Sequence, residues 1–162
     1  KKYGLIKNSN KIFEFGSSPG GWTQVILNTN YNAKITSIDL IDMKIKNKNV
    51  FFIKEDFLKF DYNILNEKFN LILSDLAPNT TGHQSTDHLK ICQLIYEIIM
   101  RLDILLKNKG SFIFKIWKGE EEKIIVNKLK SVFKKIDYFK PKSSRKESSE
   151  IFIVARDYKI YE

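Results

Sequence analysis

The chain has 162 residues but only one cysteine, Cys92, and three prolines. A lone cysteine cannot form an internal disulfide, which excludes a disulfide-stapled domain and suits a reducing, intracellular compartment. No apolar run approaches the roughly 20 residues that span a bilayer, so an integral membrane protein is also excluded. The length leaves room for one ordinary globular domain with its own core and is too short for two full domains.

Arginine is scarce, although the chain is basic. Lysine and arginine number 28 against 19 acidic residues, which gives a formal net charge of +9, and the arginines are only Arg101, Arg145 and Arg156. A positive excess favours an acidic partner such as nucleic acid or an anionic membrane surface. AT-rich coding produces the same lysine bias, so both explanations stay open. Because no methionine precedes Lys1, we expect a processed or truncated product.

Short apolar, β-branched runs alternate with helical patterns, which is typical of an α/β domain with a largely parallel sheet. Strands are predicted at residues 11–15, 34–39, 50–53, 71–75, 111–115, 136–139 and 151–155. Helices are predicted at residues 22–28, 88–106 and 120–133, where apolar residues recur at helical spacing. The expected architecture is a single domain over residues 1–162, with helices on both faces of one seven-stranded sheet.

A glycine-rich turn follows the first predicted strand and precedes a helical pattern. Its members are Gly16, Ser18, Pro19, Gly20, Gly21 and Trp22. Glycines let the backbone turn sharply and approach a ligand closely, and the following helix presents free amide groups. The spacing fits neither a Walker loop nor the dinucleotide pattern GxGxxG. Taken alone, the segment is consistent with a generic tight turn or with a ligand-binding loop.

Acidic residues follow the next two predicted strands. Asp39 comes about 20 residues after the glycine-rich turn, where nucleoside-binding α/β domains place a carboxylate for the ribose hydroxyls. Asp56 follows the third strand, where it could accept a hydrogen bond from an adenine amino group. Each could equally be a solvated acid. Three candidate contacts at the carboxyl ends of successive strands favour a nucleoside site, because ligands bind at that edge of open α/β sheets.

Two further residues are candidates for chemistry. The fourth predicted strand delivers Asp75 into a turn-rich loop, and the fifth places Lys115 inside an apolar run. Burying a lysine is costly unless the charge is paired. Lys115 therefore either extends to the surface along its aliphatic stem or faces Asp75 on the neighbouring strand and serves in catalysis.

A basic, hydroxyl-rich loop precedes the last predicted strand. The candidates for phosphate contacts there are Lys140, Lys142, Arg145 and Lys146. The loop would also bring Glu150 beside Lys115. A solvated surface loop is the alternative, and the same two interpretations apply to the lysine-rich segment at residues 44–48.

Four segments together resemble the signatures of the FtsJ/RrmJ family of S-adenosylmethionine-dependent ribosomal RNA ribose 2′-O-methyltransferases. They are GSSPGGWTQ at residues 16–24, SDLAPNTTG at 74–82, FKIWKG at 114–119 and KPKSSRKESSEIFI at 140–153. They follow the family's order and spacing over nearly the entire chain. APNTTG and SRKESSE look closer to the ribosomal branch, including its mitochondrial members, than to the tRNA branch.

The resemblance implies a Rossmann-like methyltransferase fold with S-adenosylmethionine as cofactor. The implied cofactor-binding residues are Gly16, Ser18, Pro19, Gly20, Gly21, Trp22, Asp39, Asp56 and Asp75. The family's catalytic set is Lys-Asp-Lys-Glu, and its last three members match Asp75, Lys115 and Glu150. Its first lysine belongs to a basic N-terminal helix, which we expect upstream of residue 1. Glu14 stands where the family commonly has aspartate.

The implied activity is methyl transfer to a ribose 2′-hydroxyl, most simply of a uridine in large-subunit ribosomal RNA. We expect ribosomal RNA or the large subunit as partner, and a monomer without membrane attachment. No metal is expected, because His83, His88 and Cys92 lack a ligand-like arrangement. An intracellular location is expected, with a mitochondrial or other organellar site favoured over the cytoplasm. The alternatives are a tRNA or mRNA-cap methyltransferase, a catalytically silent RNA-binding or ribosome-assembly module, and a nucleotide-binding oxidoreductase.

Overall fold

Strands and helices alternate along the chain in the computed structural model, which describes residues 4–77, 82–141 and 148–160. The strands are β1 (Lys11–Phe15), β2 (Lys34–Asp39), β3 (Val50–Lys54), β4 (Phe69–Ser74), β5 (Leu106–Trp117), β6 (Phe133–Phe139) and β7 (Glu150–Tyr158). The helices are α1 (Gly21–Thr29), α2 (Gln84–Ile99), α3 (Leu102–Leu105) and α4 (Glu120–Val132), with a 3-10 turn at Tyr62–Leu65. Among the described residues, no helix combines the length and apolar character needed to cross a membrane.

The strands form one sheet in the order β3-β2-β1-β4-β5-β7-β6. The first five strands are parallel, while β7 runs antiparallel between β5 and β6. The chain winds from β1 out to β3 and then crosses back to β4 on the other side of β1, so the winding direction reverses between β1 and β4. Ligands of open α/β sheets bind in the crevice at such a switch point. The seven-stranded, mostly parallel sheet predicted from the sequence is confirmed.

The two faces of the sheet carry separate apolar clusters, because side chains alternate between the faces along each strand. Phe13 and Phe15 of β1 join the larger cluster, which includes buried residues of α2 and α4. Ile12 joins a smaller cluster with Ile26 of α1 and Leu73 of β4. Helices therefore cover both faces, as expected, and the core lies on either side of the central strands.

The helix predicted at residues 88–106 is wrong in its bounds. It is divided into α2 and α3, and Leu106 belongs to β5. The amide of Arg101 donates to the carbonyl oxygen of Ile98 at 2.9 Å, three residues back, which tightens the last turn of α2 and ends it. The apolar spacing continues across the break because Leu102 and Leu105 are also buried. Periodicity alone therefore could not reveal the end of α2.

Several predicted strands and helices have shifted ends. β1 and β2 match their predicted bounds, whereas β5, β6 and β7 start earlier than predicted. Phe133, predicted as the end of a helix, begins β6. β4 ends at Ser74, so Asp75 lies just beyond the strand and not at its last position.

Candidate active site

The glycine-rich turn after β1 has a backbone that requires glycine at two positions. Gly16 and Gly20 have φ angles of 72° and 113°, in the region that side-chain-bearing residues rarely adopt. A Cβ atom on Gly20 would lie 2.7 Å from Cδ1 of Ile45, and one on Gly16 would lie 2.9 Å from Cδ2 of Leu76. The turn is thus packed closely against its neighbours, and it leads directly into the first turn of α1 at Gly21.

Asp39, predicted as a ribose ligand, fastens this turn to the end of β2. Its Oδ2 accepts a hydrogen bond from the backbone amide of Ser18 at 2.8 Å. Its Oδ1 accepts one from the amide of Ile41 at 2.9 Å. The carboxylate therefore shapes the loop directly, a structural role that the sequence analysis missed. Each oxygen still has a further lone pair for a ligand.

Asp56 lies after β3 at the same edge of the sheet. Its Oδ1 accepts from the amide of Leu58 at 3.0 Å, which holds a turn. The side chain is accordingly oriented by the chain around it before any ligand is considered.

Asp75 and Lys115 meet at the switch point. The amide of Asp75 donates to the carbonyl oxygen of Phe15 at 3.1 Å, which joins the end of β4 to the end of β1. Nζ of Lys115 lies 2.8 Å from Oδ1 of Asp75, and the two side chains are 13% and 33% exposed. The structure therefore favours a lysine that faces Asp75 over one that extends into solvent.

Glu150 shares a face of the sheet with Lys115 but does not pair with it. In the antiparallel register of β5 and β7, Lys115 stands opposite Phe152, and Trp117 stands opposite Glu150. Glu150 is thus the diagonal neighbour of Lys115, a position typically about 7–8 Å away. Among the described residues the lysine's ion pair is with Asp75. Glu150 therefore lies on the same face of the sheet as Lys115 and near it in the register, but the described residues show no ion pair between the two.

Glu14, which the sequence analysis noted only as a departure from the family, is a buried acid beneath the glycine-rich turn. It is 1% exposed, and its Oε2 accepts a hydrogen bond from the hydroxyl of Thr23 at 2.5 Å. Its Oε1 is buried without a partner in the part of the chain that the structure describes. Burial raises the pKa of Glu14 from 4.5 to about 7; the Thr23 bond opposes this rise, and the charges of Asp75 and Asp39 add to it. An acid inside the apolar strand KIFEF was the signal available in the sequence.

The ring of Trp22 packs away from the turn in which its backbone lies. The ring centroids of Trp22 and Phe152 are 5.4 Å apart. Both residues line an apolar cavity of about 300 Å³ on the α1 face of β4, β5 and β7, together with Ile113 and Val154. The backbone of Trp22 remains in the first turn of α1, next to the glycine-rich loop.

The predicted RNA-binding residues are described only in part. Nζ of Lys140 donates to the carbonyl oxygen of Ser148 at 2.8 Å, which ties together the two ends of the basic loop. Lys142, Arg145 and Lys146 lie outside the described residues, as do residues 78–81 of the segment after Asp75. Within the described ranges, no group of three His, Cys, Asp or Glu side chains could hold a metal ion.

The comparisons with known proteins agree with this geometry. The sequence model of one family, described as FtsJ-like methyltransferase, matches residues 1–158. The chain belongs to this family. It is therefore a methyltransferase, and the resemblance recognised in its four motifs is confirmed.

Two curated relatives of this FtsJ-like methyltransferase carry the name ribosomal RNA large subunit methyltransferase E. The protein of Wolbachia pipientis wMel is 39% identical over 159 residues, which cover 95% of this chain and 81% of the relative. The protein of Rickettsia akari (strain Hartford) is 37% identical over 169 residues, which cover 96% of this chain and 73% of the relative. Both relatives are bacterial, so they give no support to the organellar preference.

Solved structures share the fold of this methyltransferase. A ribosomal RNA methyltransferase from Plasmodium falciparum is 30% identical with a TM-score of 0.83, and the match covers 97% of this chain and 91% of that one. Human methyltransferase-like protein 13, solved in complex with SAH, is 11% identical with a TM-score of 0.66 over 94% of this chain and 74% of that one. The second likeness concerns the fold alone. The Rossmann-like methyltransferase fold implied by the motifs is confirmed.

Proposed function

We propose that this chain transfers a methyl group from S-adenosylmethionine to a ribose 2′-hydroxyl of ribosomal RNA, in particular of a uridine in the large-subunit RNA. The observation that carries the proposal is the Lys115–Asp75 pair, 2.8 Å apart, at the switch point beside the glycine-rich turn. The names of the bacterial relatives support the choice of RNA. The family itself supports the reaction.

The residues at the ends of β1, β2 and β3 fit a nucleoside-containing cofactor. The turn adopts positive φ angles at Gly16 and Gly20, and Asp39 and Asp56 are oriented carboxylates at the same edge. In this proposal Gly16, Ser18, Pro19, Gly20, Gly21, Trp22 and Asp75 complete the cofactor site. When bound, S-adenosylmethionine supplies a methyl group already activated by its sulfonium charge.

The chain's own contribution is then to align the ribose hydroxyl and to manage its proton. Alignment is the main requirement of an in-line displacement between two bound groups. The side chain of Lys115 is only 13% exposed, and its Nζ lies 2.8 Å from Oδ1 of Asp75. It either accepts the proton of the 2′-hydroxyl as a neutral amine or, as the ammonium, donates a hydrogen bond to the developing alkoxide. Asp75 orients it in both cases, and Glu150 supplies a second carboxylate on the same face.

Replacing Lys115 with alanine tests the proposal. Loss of an acid–base group typically costs about 10²- to 10⁴-fold in rate, so methyl transfer to ribosomal RNA from a labelled donor should fall by that factor. Binding of S-adenosylmethionine, measured by calorimetry, should be largely retained. The matched control is Lys34→Ala. Lys34 is the first residue of β2, at the amino ends of the parallel strands, whereas the candidate site lies at their carboxyl ends. Substantial residual methylation by the Lys115 variant would contradict the assigned role.

The substrate is tested by supplying wild-type protein with ribosomal RNA fragments, assembled large subunits, tRNA and capped mRNA. Labelling of a uridine ribose in large-subunit RNA is the expected result. Preference for tRNA or the cap would redirect the proposal within the same chemistry, and RNA binding without any transfer would point to a catalytically silent module. Binding of NAD in place of S-adenosylmethionine would point to an oxidoreductase. In the proposed complex Lys140, Lys142, Arg145 and Lys146 contact RNA phosphates, and the protein acts as a monomer.

A further inference from the structure

A basic groove runs between α4 and β6 and reaches the start of β7. It consists of two adjoining cavities of about 450 Å³ and 270 Å³, which share Lys123 and Tyr138 in their walls. We call it the α4–β6 groove. The lysines that line it are Lys118, Lys123, Lys130 and Lys140. Residues 118, 123 and 130 were not among the RNA-binding residues predicted from the sequence.

Lysines predominate among the charged residues that line the described part of the α4–β6 groove. Among the described residues that line it, the acidic one is Glu122, which is 4% exposed and accepts a hydrogen bond from the hydroxyl of Tyr138. The first turn of α4 also holds Glu120 and Glu121, and the charges of both Glu121 and Glu122 add to burial in raising the pKa of Cys92 on α2. Lys118 and Lys123 form no ion pair within 4.0 Å among the described residues. Their ammonium groups are thus available to an anionic partner.

Two aromatic side chains stand beside these charges. Tyr138 and Phe139, at the end of the edge strand β6, are 51% and 38% exposed. Both line the groove, and Phe139 also lines the apolar cavity beside Trp22. The bond from Tyr138 to Glu122 holds the tyrosine ring in place. Positive charge interleaved with accessible aromatic rings is the composition of surfaces that bind single-stranded nucleic acid, where lysines meet phosphates and rings stack on bases.

The α4–β6 groove is continuous with the chain segment that carries Glu150. Ile151, the next residue, lines the larger cavity. The amide of Lys118 donates to the carbonyl oxygen of Ser149 at 2.9 Å, and Nζ of Lys140 donates to that of Ser148 at 2.8 Å. Successive side chains of β7 alternate between faces, so Glu150 lies on the face of Lys115 and Ile151 on the face of the groove. An RNA strand whose ribose lies at Lys115 and Glu150 therefore reaches the groove by passing over the end of the sheet where β7 begins.

We propose that the α4–β6 groove binds the single-stranded stretch of the RNA substrate that flanks the methylated ribose. Lys118 and Lys123 contact its phosphates, and Phe139 and Tyr138 stack on its bases. The inference rests on the proposed function and extends it, because it gives the RNA a path beyond the basic loop at residues 140–149.

The test compares two double variants that lose the same charge. The groove variant combines Lys118→Ala and Lys123→Ala. The control variant combines Lys7→Ala and Lys34→Ala, which removes two exposed lysines near the starts of β1 and β2. The probe is a fluorescein-labelled oligouridylate, whose affinity is measured by anisotropy over a range of salt concentrations. Each lost phosphate contact should reduce the slope of log K against log salt by about 0.7. The groove variant should show this reduction for each lysine, and the control should not.

A third variant, Phe139→Ala, separates stacking from charge. It should weaken oligouridylate binding by about fivefold or more with an unchanged salt slope. All variants should bind S-adenosylmethionine as the wild type does, and the two double variants should show the same thermal unfolding. In methylation of ribosomal RNA, the groove variant should raise KM far more than it lowers kcat.

The outcomes distinguish this inference from the proposed function. If wild-type protein methylates ribosomal RNA but the groove variant keeps the wild-type affinity, salt slope and KM, the groove assignment is overturned and the function stands. If polyglutamate competes for the protein as well as RNA does, the groove belongs to an acidic protein partner and the assignment is again overturned. If wild-type protein neither binds S-adenosylmethionine nor transfers methyl groups, the proposed function itself fails.

Discussion

Replacing Glu14 with glutamine should make the protein's stability less dependent on pH. Glu14 is 1% exposed, with one oxygen bonded to Thr23 and the other buried without a partner among the described residues. Glutamine has nearly the same shape and keeps an oxygen that can accept the Thr23 hydrogen bond. It cannot ionise, so the substitution removes the titration, and any cost of burying its amide NH2 is the same at every pH.

The size of the effect follows from the displaced pKa. Burial, assisted by the charges of Asp75 and Asp39 and opposed by the Thr23 bond, raises the pKa of Glu14 from 4.5 to about 7. A displacement of this size corresponds to about 3 kcal/mol of unfolding free energy. The folded state holds the proton more tightly than the unfolded state. The contribution is therefore fully present below about pH 4.5 and is lost as the pH rises through about 7.

The measurement is urea unfolding of wild type and Glu14→Gln at several pH values from below 4.5 to above 7, followed by circular dichroism. The stability of wild type relative to the variant should fall by up to about 3 kcal/mol across this range. A second variant, Thr23→Val, removes the hydrogen bond that lowers the pKa, so it should move the fall to higher pH. Parallel pH profiles for wild type and Glu14→Gln would refute the reasoning, since they would mean that Glu14 titrates alike in both states.

Two further substitutions test the loop and the core. Gly20→Ala should weaken S-adenosylmethionine binding and lower stability by about 1 kcal/mol or more, because φ at Gly20 is 113° and its Cβ would lie 2.7 Å from Ile45. Gly21→Ala is the matched control for stability, since its Cβ would have nothing within 4 Å, and equal losses in thermal unfolding would contradict the steric argument. Phe114→Ala removes a fully buried ring and should cost about 3–5 kcal/mol in urea unfolding. Phe51→Ala, at a position that is 62% exposed, should change stability by less than about 0.5 kcal/mol, so a comparable loss there would be inconsistent with the assigned core.

The central strands could be predicted from the sequence because their local pattern and their tertiary environment agree. β1 and β2 are short segments rich in β-branched and aromatic residues, and their observed ends match the prediction. The C-terminal end of α2 could not be predicted in the same way. Leu102 and Leu105 continue the helical spacing because they enter the same core, and only the three-residue hydrogen bond at Arg101 marks the break.

The candidate site shows the same division between local and tertiary information. The glycine-rich turn could be located from its residues, because the positive φ angles of Gly16 and Gly20 are a local requirement. The tie between Asp39 and the amide of Ser18 depends on how two strands place their ends side by side. The raised pKa of Glu14 also depends on what covers β1, which spacing along the chain does not encode.

The pairing of Asp75 with Lys115 is a consequence of strand order. β1 and β4 are far apart in sequence, yet β4 pairs with β1 on one side and with β5 on the other. Residues that follow equivalent positions of parallel neighbours must meet at one edge. The amide of Asp75 therefore donates to the carbonyl oxygen of Phe15, while its carboxylate pairs with Nζ of Lys115. Glu150 obeys a different constraint, because β7 is antiparallel and brings the beginning of its strand to that edge. The three residues therefore converge through two kinds of strand pairing, and the diagonal position of Glu150 follows from the antiparallel register.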